Sequence, residues 1–260
     1  MSQYTNLKLE RRGHTALVTI SNPPANTWTR DSLQALKQLV ADLTAERDIY
    51  ALVLTGEGEK FFSAGADLNQ FKDGDPAVAA EAARRFGEAF EALAAFRGVT
   101  LAAINGYAMG GGLEVALACD IRIAEEQARM GLPEAKVGLL PCAGGTQRLP
   151  RLVGEGWAKR IVLCGEQVDA DTALRIGLIE EKVGRGEALE RALALAEQVG
   201  GQSPVSVAYC KQLIDASLVR PTADNLPLER ELFVALFDSE DQKEGVNAFL
   251  EKRKPQWQNK

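Results

Sequence analysis

The spacing of apolar positions changes character part-way along the chain. Residues 15–20 (TALVTI) form a short apolar, β-branched run that ends at Ser21-Asn22-Pro23-Pro24, and read as a strand followed by a turn. Leu33, Leu36, Val40 and Leu43 then recur at three- and four-residue intervals. That period predicts an amphipathic helix over 30–46, with Thr29 or Asp31 placed to cap its start. Residues 51–55 (ALVLT), bounded by Gly56, have the unbroken apolar character of a buried strand. Phe86, Phe90, Leu93 and either Phe96 or Arg97 mark another helix. The unit then repeats, with 100–104 as strand, 105–112 as turn, 113–119 as an apolar helix and 121–124 as strand.

Strands alternating with helices up to about Val183 predict an α/β fold whose crossovers pack helices against a sheet. After Gly186 the pattern becomes helical throughout, over 187–199, 205–217, 225–237 and 241–252, so the last quarter reads as a helical appendage. The chain shows no internal repeat, low-complexity tract or flexible linker.

Composition narrows the function classes. With 260 residues, 46% apolar and 25% charged, the chain is that of a globular protein with a sizeable core. Its formal charge of −6 gives no net positive field to hold nucleic-acid phosphates or anionic lipid. No run approaches the ~20 apolar residues of a membrane span, and the opening MSQYTNLKLERRGH lacks the order of a signal peptide. Cys119, Cys142, Cys164 and Cys210 lie far apart with no CxxC pair, which argues against a disulfide framework or zinc site and for a reducing cytoplasm. The single histidine, His14, reads as a surface-turn residue, and no GxSxG accompanies it, which disfavours Ser-His-Asp or Cys-His chemistry.

The candidate chemistry lies in three segments. Asn105–Gly112 ends in three consecutive glycines just before a helix, where exposed N–H groups at the positive helix end can hold a phosphate or an oxyanion. Neither a GxGxxG fingerprint in the right context nor a GxxxxGK[ST] loop is present, and close packing is the competing reason for the glycines. Glu114 is the only charge on the apolar helix 113–119. Burial there would raise its pKa toward the range useful for proton transfer; a structural pairing with an arginine is the alternative. Glu134 follows 20 residues later in Gly131-Leu132-Pro133-Glu134, an interval that fits a helix, a strand and a turn. Taken singly it reads as a solvated turn residue, but beside Glu114 it would complete a pair able to hold and polarise one water. The third segment, Pro141–Leu149, is a glycine turn opening a helix.

Together these segments resemble the crotonase (enoyl-CoA hydratase/isomerase) superfamily. The resemblance spans nearly the whole chain and is strongest at SAGADL (63–68), AAINGYAMGGGLEVALACDIRIA (102–124), GLPEAKVGLLPCAGGTQRL (131–149) and SEDQKEGVNAFLEKRKP (239–255). It implies a crotonase-like spiral of repeated ββα units, with a core over 1–190 and a helical C-terminal region over 191–260 used for oligomerisation and CoA contact. It further implies an oxyanion hole from the backbone N–H groups of Ala66 and Gly111, with Glu114 chiefly as base toward water and Glu134 as proton donor to the α-carbon. CoA contacts are implied at Ala25, Ala64, Asp67 and Leu68, and at Phe249 and Lys252 near the C-terminus, the last two toward the ligand of a neighbouring subunit in a trimer or dimer of trimers. No cofactor is implied, since CoA is part of the substrate. Cys142 stands where the family often has a glycine whose N–H helps place water; the thiol adds bulk there but keeps that N–H. Keeping both glutamates favours a hydratase over the family's isomerases, and the acidic charge disfavours its RNA-binding relatives and a non-catalytic binding role. Trp28, Phe71 and Met109 are candidates to shape the acyl pocket.

Overall fold

The apolar runs at 51–55 and 100–104 become buried strands at the centre of a sheet. The computed structural model of the protein describes residues 4–260; Met1, Ser2 and Gln3, at the head of the stretch tested above for a signal peptide, lie outside the described residues. The elements run β1 (Leu7–Arg12), β2 (Thr15–Ile20), α1 (Arg30–Ala45), β3 (Ala51–Gly56), β4 (Phe61–Ser63) and α2 (Pro76–Ala94). They continue with β5 (Val99–Ile104), β6 (Tyr107–Met109), α3 (Gly111–Leu117), β7 (Ile121–Glu125), β8 (Arg129–Gly131) and α4 (Gly145–Leu163). β9 (Val168–Asp169), α5 (Ala170–Arg175) and β10 (Glu181–Val183) complete the mixed region, and α6 (Ala188–Gly200), α7 (Pro204–Ser217), α8 (Thr222–Ala235) and α9 (Glu240–Leu250) follow.

The strands form two sheets. The larger has the order β1-β2-β3-β5-β7-β10 and is parallel except for the β1–β2 hairpin; the smaller has the order β4-β6-β8-β9 and is parallel except for β9. Three successive units, β3-β4-α2, β5-β6-α3 and β7-β8-α4, each place one strand in either sheet and then a helix. This is the ββα spiral that the resemblance implied.

The helix expected over 30–46 is present as α1, and Thr29 is its cap, accepting from the N–H of Ser32 at 3.2 Å in a capping box. The long strands and four C-terminal helices also stand within a few residues of their expected places. The smaller sheet was not foreseen. Its strands are two or three residues long, too short to show a period, and β6 lies inside the stretch read as a turn.

One core lies between the sheets and α1 to α4, and contains Leu36, Leu54, Phe62, Phe90 and Leu113. A second lies on the other face of the larger sheet, where Ala188, Ala192 and Ala196 of α6 pack on Leu17, Val53 and Leu101. The small helix residues let α6 lie close to the strands. His14 sits exposed at the β1–β2 turn, stacked on Tyr50 at 4.3 Å. Among the described residues no helix is long and apolar enough to cross a membrane.

Candidate active site

The carboxyl-terminal ends of β4, β6 and β8 open onto one cavity of about 720 Å³. Ala64 and Ala66 follow β4, Gly110 and Gly111 follow β6, and Glu134 follows β8, so pairing of three short strands brings together residues 23 to 70 positions apart.

Two turns meet at the cavity floor. Gly65 takes φ +91°, and a Cβ there would lie 2.6 Å from the Met109 carbonyl and 3.0 Å from the Gly111 nitrogen, so only glycine permits the approach. Gly112 is packed still more tightly, with a Cβ built on it falling 2.1 Å from the Ser63 carbonyl oxygen. The backbone on either side is fixed. Trp28 N–H donates to Gly65 O and Asp67 N–H to Trp28 O, bracketing Ala66, while Gly110 N–H donates to Gly131 O. Gly111 opens α3, where a backbone N–H has no partner within its own helix.

Glu114 is 2% exposed. The arginine pairing weighed for it does not occur among the described residues. Instead its Oε1 accepts from Ala143 N–H at 2.8 Å and Gly145 N–H at 2.9 Å, at the start of α4. Burial raises its pKa above the ordinary glutamate value, and the two backbone bonds and nearby Arg148 only partly oppose that. These two donors were not read from the sequence, although the glycine turn entering a helix was the signal for them.

Glu134 opens a 3₁₀ turn, Glu134–Val137, rather than a solvated loop. Its Oε2 is buried without a hydrogen-bond partner, and its Oε1 lies 3.1 Å from where a Cβ on Gly110 would be. Burial raises its pKa to about 7, its own backbone bond opposing and the Glu114 charge adding to the rise. A carboxyl with that value is half protonated near neutral pH and suits general acid–base work. Cys142 lines the same cavity, and burial followed by the charges of Glu114 and Glu134 pushes its thiol up to about 11, so the thiolate is scarce.

Of the expected residues, Ala64, Ala66, Leu68, Gly111, Glu114, Glu134 and Cys142 line the cavity, as do Phe71 and Met109. Ala25 and Asp67 sit just behind it. Ala25 O accepts from Ala64 N–H at 2.9 Å, and Asp67 caps the following 3₁₀ turn through Asn69 N–H. Phe249 and Lys252 lie outside it, at the end of α9, with Phe249 83% exposed. Trp28 does not line the cavity. Its ring is fully buried, edge-on to Phe90 at 5.6 Å, because its backbone rather than its side chain faces the Ala66 turn. The sequence reading missed the wall formed by Ala79, Ala82, Ala83 and Phe86 of α2. Among the described residues no group of three or more His, Cys, Asp or Glu side chains is arranged to hold a metal ion.

A family model described as Enoyl-CoA hydratase/isomerase matches residues 10–260. The Short-chain-enoyl-CoA hydratase of Clostridium acetobutylicum is 39% identical over 257 residues, covering 97% of each chain. The 2,3-dehydroadipyl-CoA hydratase of Escherichia coli K12 is 39% identical over 259 residues, covering 98% of this chain and 100% of its own. The solved structure of Pseudomonas aeruginosa DspI is 66% identical, covers 99% of this chain and 98% of its own, and superposes with a TM-score of 0.96. The two abutting turns, the paired glutamates and a family match over nearly the whole length agree: the chain belongs to the enoyl-CoA hydratase/isomerase family and has its crotonase fold.

Proposed function

We propose that this protein reversibly adds water across the 2,3 double bond of an enoyl-CoA to give a 3-hydroxyacyl-CoA, as in fatty-acid β-oxidation. The observation that carries the reading is the pair Glu114 and Glu134, both with raised pKa values and neither in an ion pair among the described residues, on the cavity that also contains Ala66 and Gly111. The N–H groups of Ala66 and Gly111 grip the thioester oxygen as it gains enolate charge, a contribution of roughly 3 kcal/mol per donor. Glu114, anchored through Oε1, takes the proton of the attacking water, and Glu134 delivers a proton to the α-carbon. The Cys142 N–H helps place that water.

CoA runs along Ala25, Ala64, Asp67 and Leu68. Phe249 and Lys252 reach the CoA of a neighbouring subunit in a homotrimer or a dimer of trimers, through the helical region 191–260. Support for that assembly comes from Ile214, Phe233, Val234, Phe249 and Leu250 on α7 to α9 and Val219 in the turn between α7 and α8, each at least 62% exposed. The names of the two hydratase relatives support the substrate class, and the clustered active residues call for no cofactor beyond the CoA of the substrate. The compartment proposed is the cytoplasm.

The test is loss of enoyl-thioester absorbance when purified protein meets crotonyl-CoA. Rapid loss supports the reading. If neither crotonyl-CoA nor a longer enoyl-CoA is consumed while a 3-enoyl thioester is isomerised, the protein is an isomerase instead.

A further inference from the structure

Glu114 is anchored by a single turn, and an arginine covers that turn. The two N–H groups that reach its Oε1 belong to Ala143 and Gly145, on either side of Gly144. Gly144 takes φ +104°, and a Cβ there would lie 3.0 Å from Arg148 Nε and 3.4 Å from its Cδ. The Arg148 side chain is therefore folded back over the bare Cα of Gly144, while its backbone N–H donates to Gly144 O at 2.7 Å. At Gly145 a Cβ would come 3.0 Å from Glu114 Oε1. Carboxylate and arginine thus pack on adjacent residues of one turn.

Arg148 is half-buried and does not line the cavity. Among the described residues its side chain has no hydrogen-bond partner and no ion pair. Arg122, buried at the start of β7, shows what an arginine that ties the fold together looks like: it donates to Leu178 O at 3.0 Å, to Cys119 O at 2.8 Å and to Glu180 at 2.6 Å. Arg148 instead faces charges at longer range. Burial holds its proton affinity below the ordinary arginine range; Cys119 beyond α3, Glu91 on α2 and Asp215 on α7 oppose that, and Arg151 on α4 adds to it. Arginine stays cationic throughout. On Glu114, burial favours the protonated form, and the bonds from Gly145 and Ala143 and then the Arg148 charge favour the ionised one.

Building on the hydratase reading, we propose that Arg148 is a positioning residue for Glu114: seated over Gly144, it holds the turn that anchors the carboxylate and keeps a positive charge near it. As base in hydration, Glu114 must begin without its proton. Two neutral N–H donors fix the carboxylate but bring no full charge. A guanidinium in direct contact would pin it as an ion pair and weaken it as a base. A cation outside the cavity favours the ionised form without competing for the water or the thioester.

The test uses the intact protein with Arg148→Gln and Arg148→Met, which remove the charge, and Arg148→Lys, which keeps it. Hydration of crotonyl-CoA, or of a longer enoyl-CoA if that is turned over faster, is followed from about pH 5 to about pH 8. The two charge-removing variants are expected to lose about tenfold in kcat near pH 7, and about threefold more on the acidic limb, where Glu114 then holds its proton to higher pH. The alkaline limb should stay in place, since Glu134 owes its value to burial, its own backbone bond and Glu114. Arg148→Lys should keep the acidic limb of the parent but only part of its kcat, because an ammonium lacks the planar head that sits over Gly144. A uniform loss at every pH, with Arg148→Lys no better than Arg148→Met, overturns the proposal, as does failure of all three variants to fold.

Thermal melts read Glu114 without turnover. Its raised proton affinity makes the ionised form destabilising as pH rises above the ordinary glutamate value. Glu114→Gln should therefore melt higher than its parent at about pH 8, and the gain should be larger in an Arg148→Met background than beside Arg148. Equal gains overturn the proposal. Unequal gains in a protein that hydrates no enoyl-CoA would uphold the action of Arg148 on Glu114 and reject the hydratase reading.

Discussion

The ring of Phe86 closes directly on Gly111: a Cβ built on that glycine would lie 2.8 Å from Phe86 Cε1. Phe86 meets Phe90 edge-on at 5.6 Å, Phe90 meets Trp28 edge-on at 5.6 Å, and the Trp28 backbone bridges Ala66. One run of buried aromatic rings thereby links the two turns whose N–H groups are proposed to grip the thioester oxygen. Edge-to-face contacts of this kind fix ring positions more narrowly than aliphatic packing does.

Phe86→Leu should therefore loosen the seat of Gly111. We expect kcat for hydration to fall by roughly tenfold, with a smaller change in KM, since misplacing a donor by a fraction of an ångström weakens the transition state more than the ground state. Phe86→Ala should in addition cost about 3–5 kcal/mol of stability, read by urea denaturation. An unchanged kcat in Phe86→Leu would show that the ring merely fills space.

Glu114→Gln and Glu134→Gln should each lower kcat by a factor of about 10² to 10⁴, and the double variant should be little worse than the poorer single one, because the two groups act on one water. Glu114→Gln keeps an amide oxygen able to accept from Ala143 and Gly145, so its fold is expected to survive. Circular dichroism and thermal melts of the same preparations check that the loss is chemical.

The raised pKa of Glu134, about 7, sets the sign of two pH effects. As proton donor in hydration it must start protonated, so hydration of crotonyl-CoA should fall as pH rises through about 7, while dehydration of 3-hydroxybutyryl-CoA should rise over the same range. In stability the folded state holds its proton more tightly than the unfolded chain. The penalty is absent below the ordinary glutamate value of 4.5 and grows until about pH 7, so this group makes folding less favourable as pH rises. Glu134→Gln should melt at a higher temperature than the parent at pH 8, with the gap closing toward pH 4.5. A gap that does not vary with pH would show that Glu134 titrates normally.

Gly112→Ala should abolish folding or remove about 4 kcal/mol or more of stability, because its Cβ would fall 2.1 Å from the backbone oxygen of Ser63 and neither segment has room to retreat. Soluble yield and denaturant midpoint report this directly. A normally stable variant would mean that β4 and α3 can separate.

What the sequence determined by itself was everything whose cause is local. Continuous apolar runs made β2, β3 and β5, a 3.6-residue period made α1 and α2, and Thr29 capped α1 because a hydroxyl there reaches a free N–H three residues on. The glycines before α3 and the lone charge of Glu114 on an apolar helix were visible for the same reason. The tertiary structure alone decided the rest. Strands of two or three residues carry no period, so the smaller sheet that gathers the site exists only through pairing between distant segments. In the sequence Glu114 was equally compatible with an arginine partner; only the start of α4 folded against it supplies its donors, and its burial raises its proton affinity. The alanine face of α2 looked like ordinary helix in the sequence, and becomes a cavity wall only because the turns after β4, β6 and β8 are folded alongside it. Periodicity reports which side of an element is apolar; what that side meets is set by long-range packing.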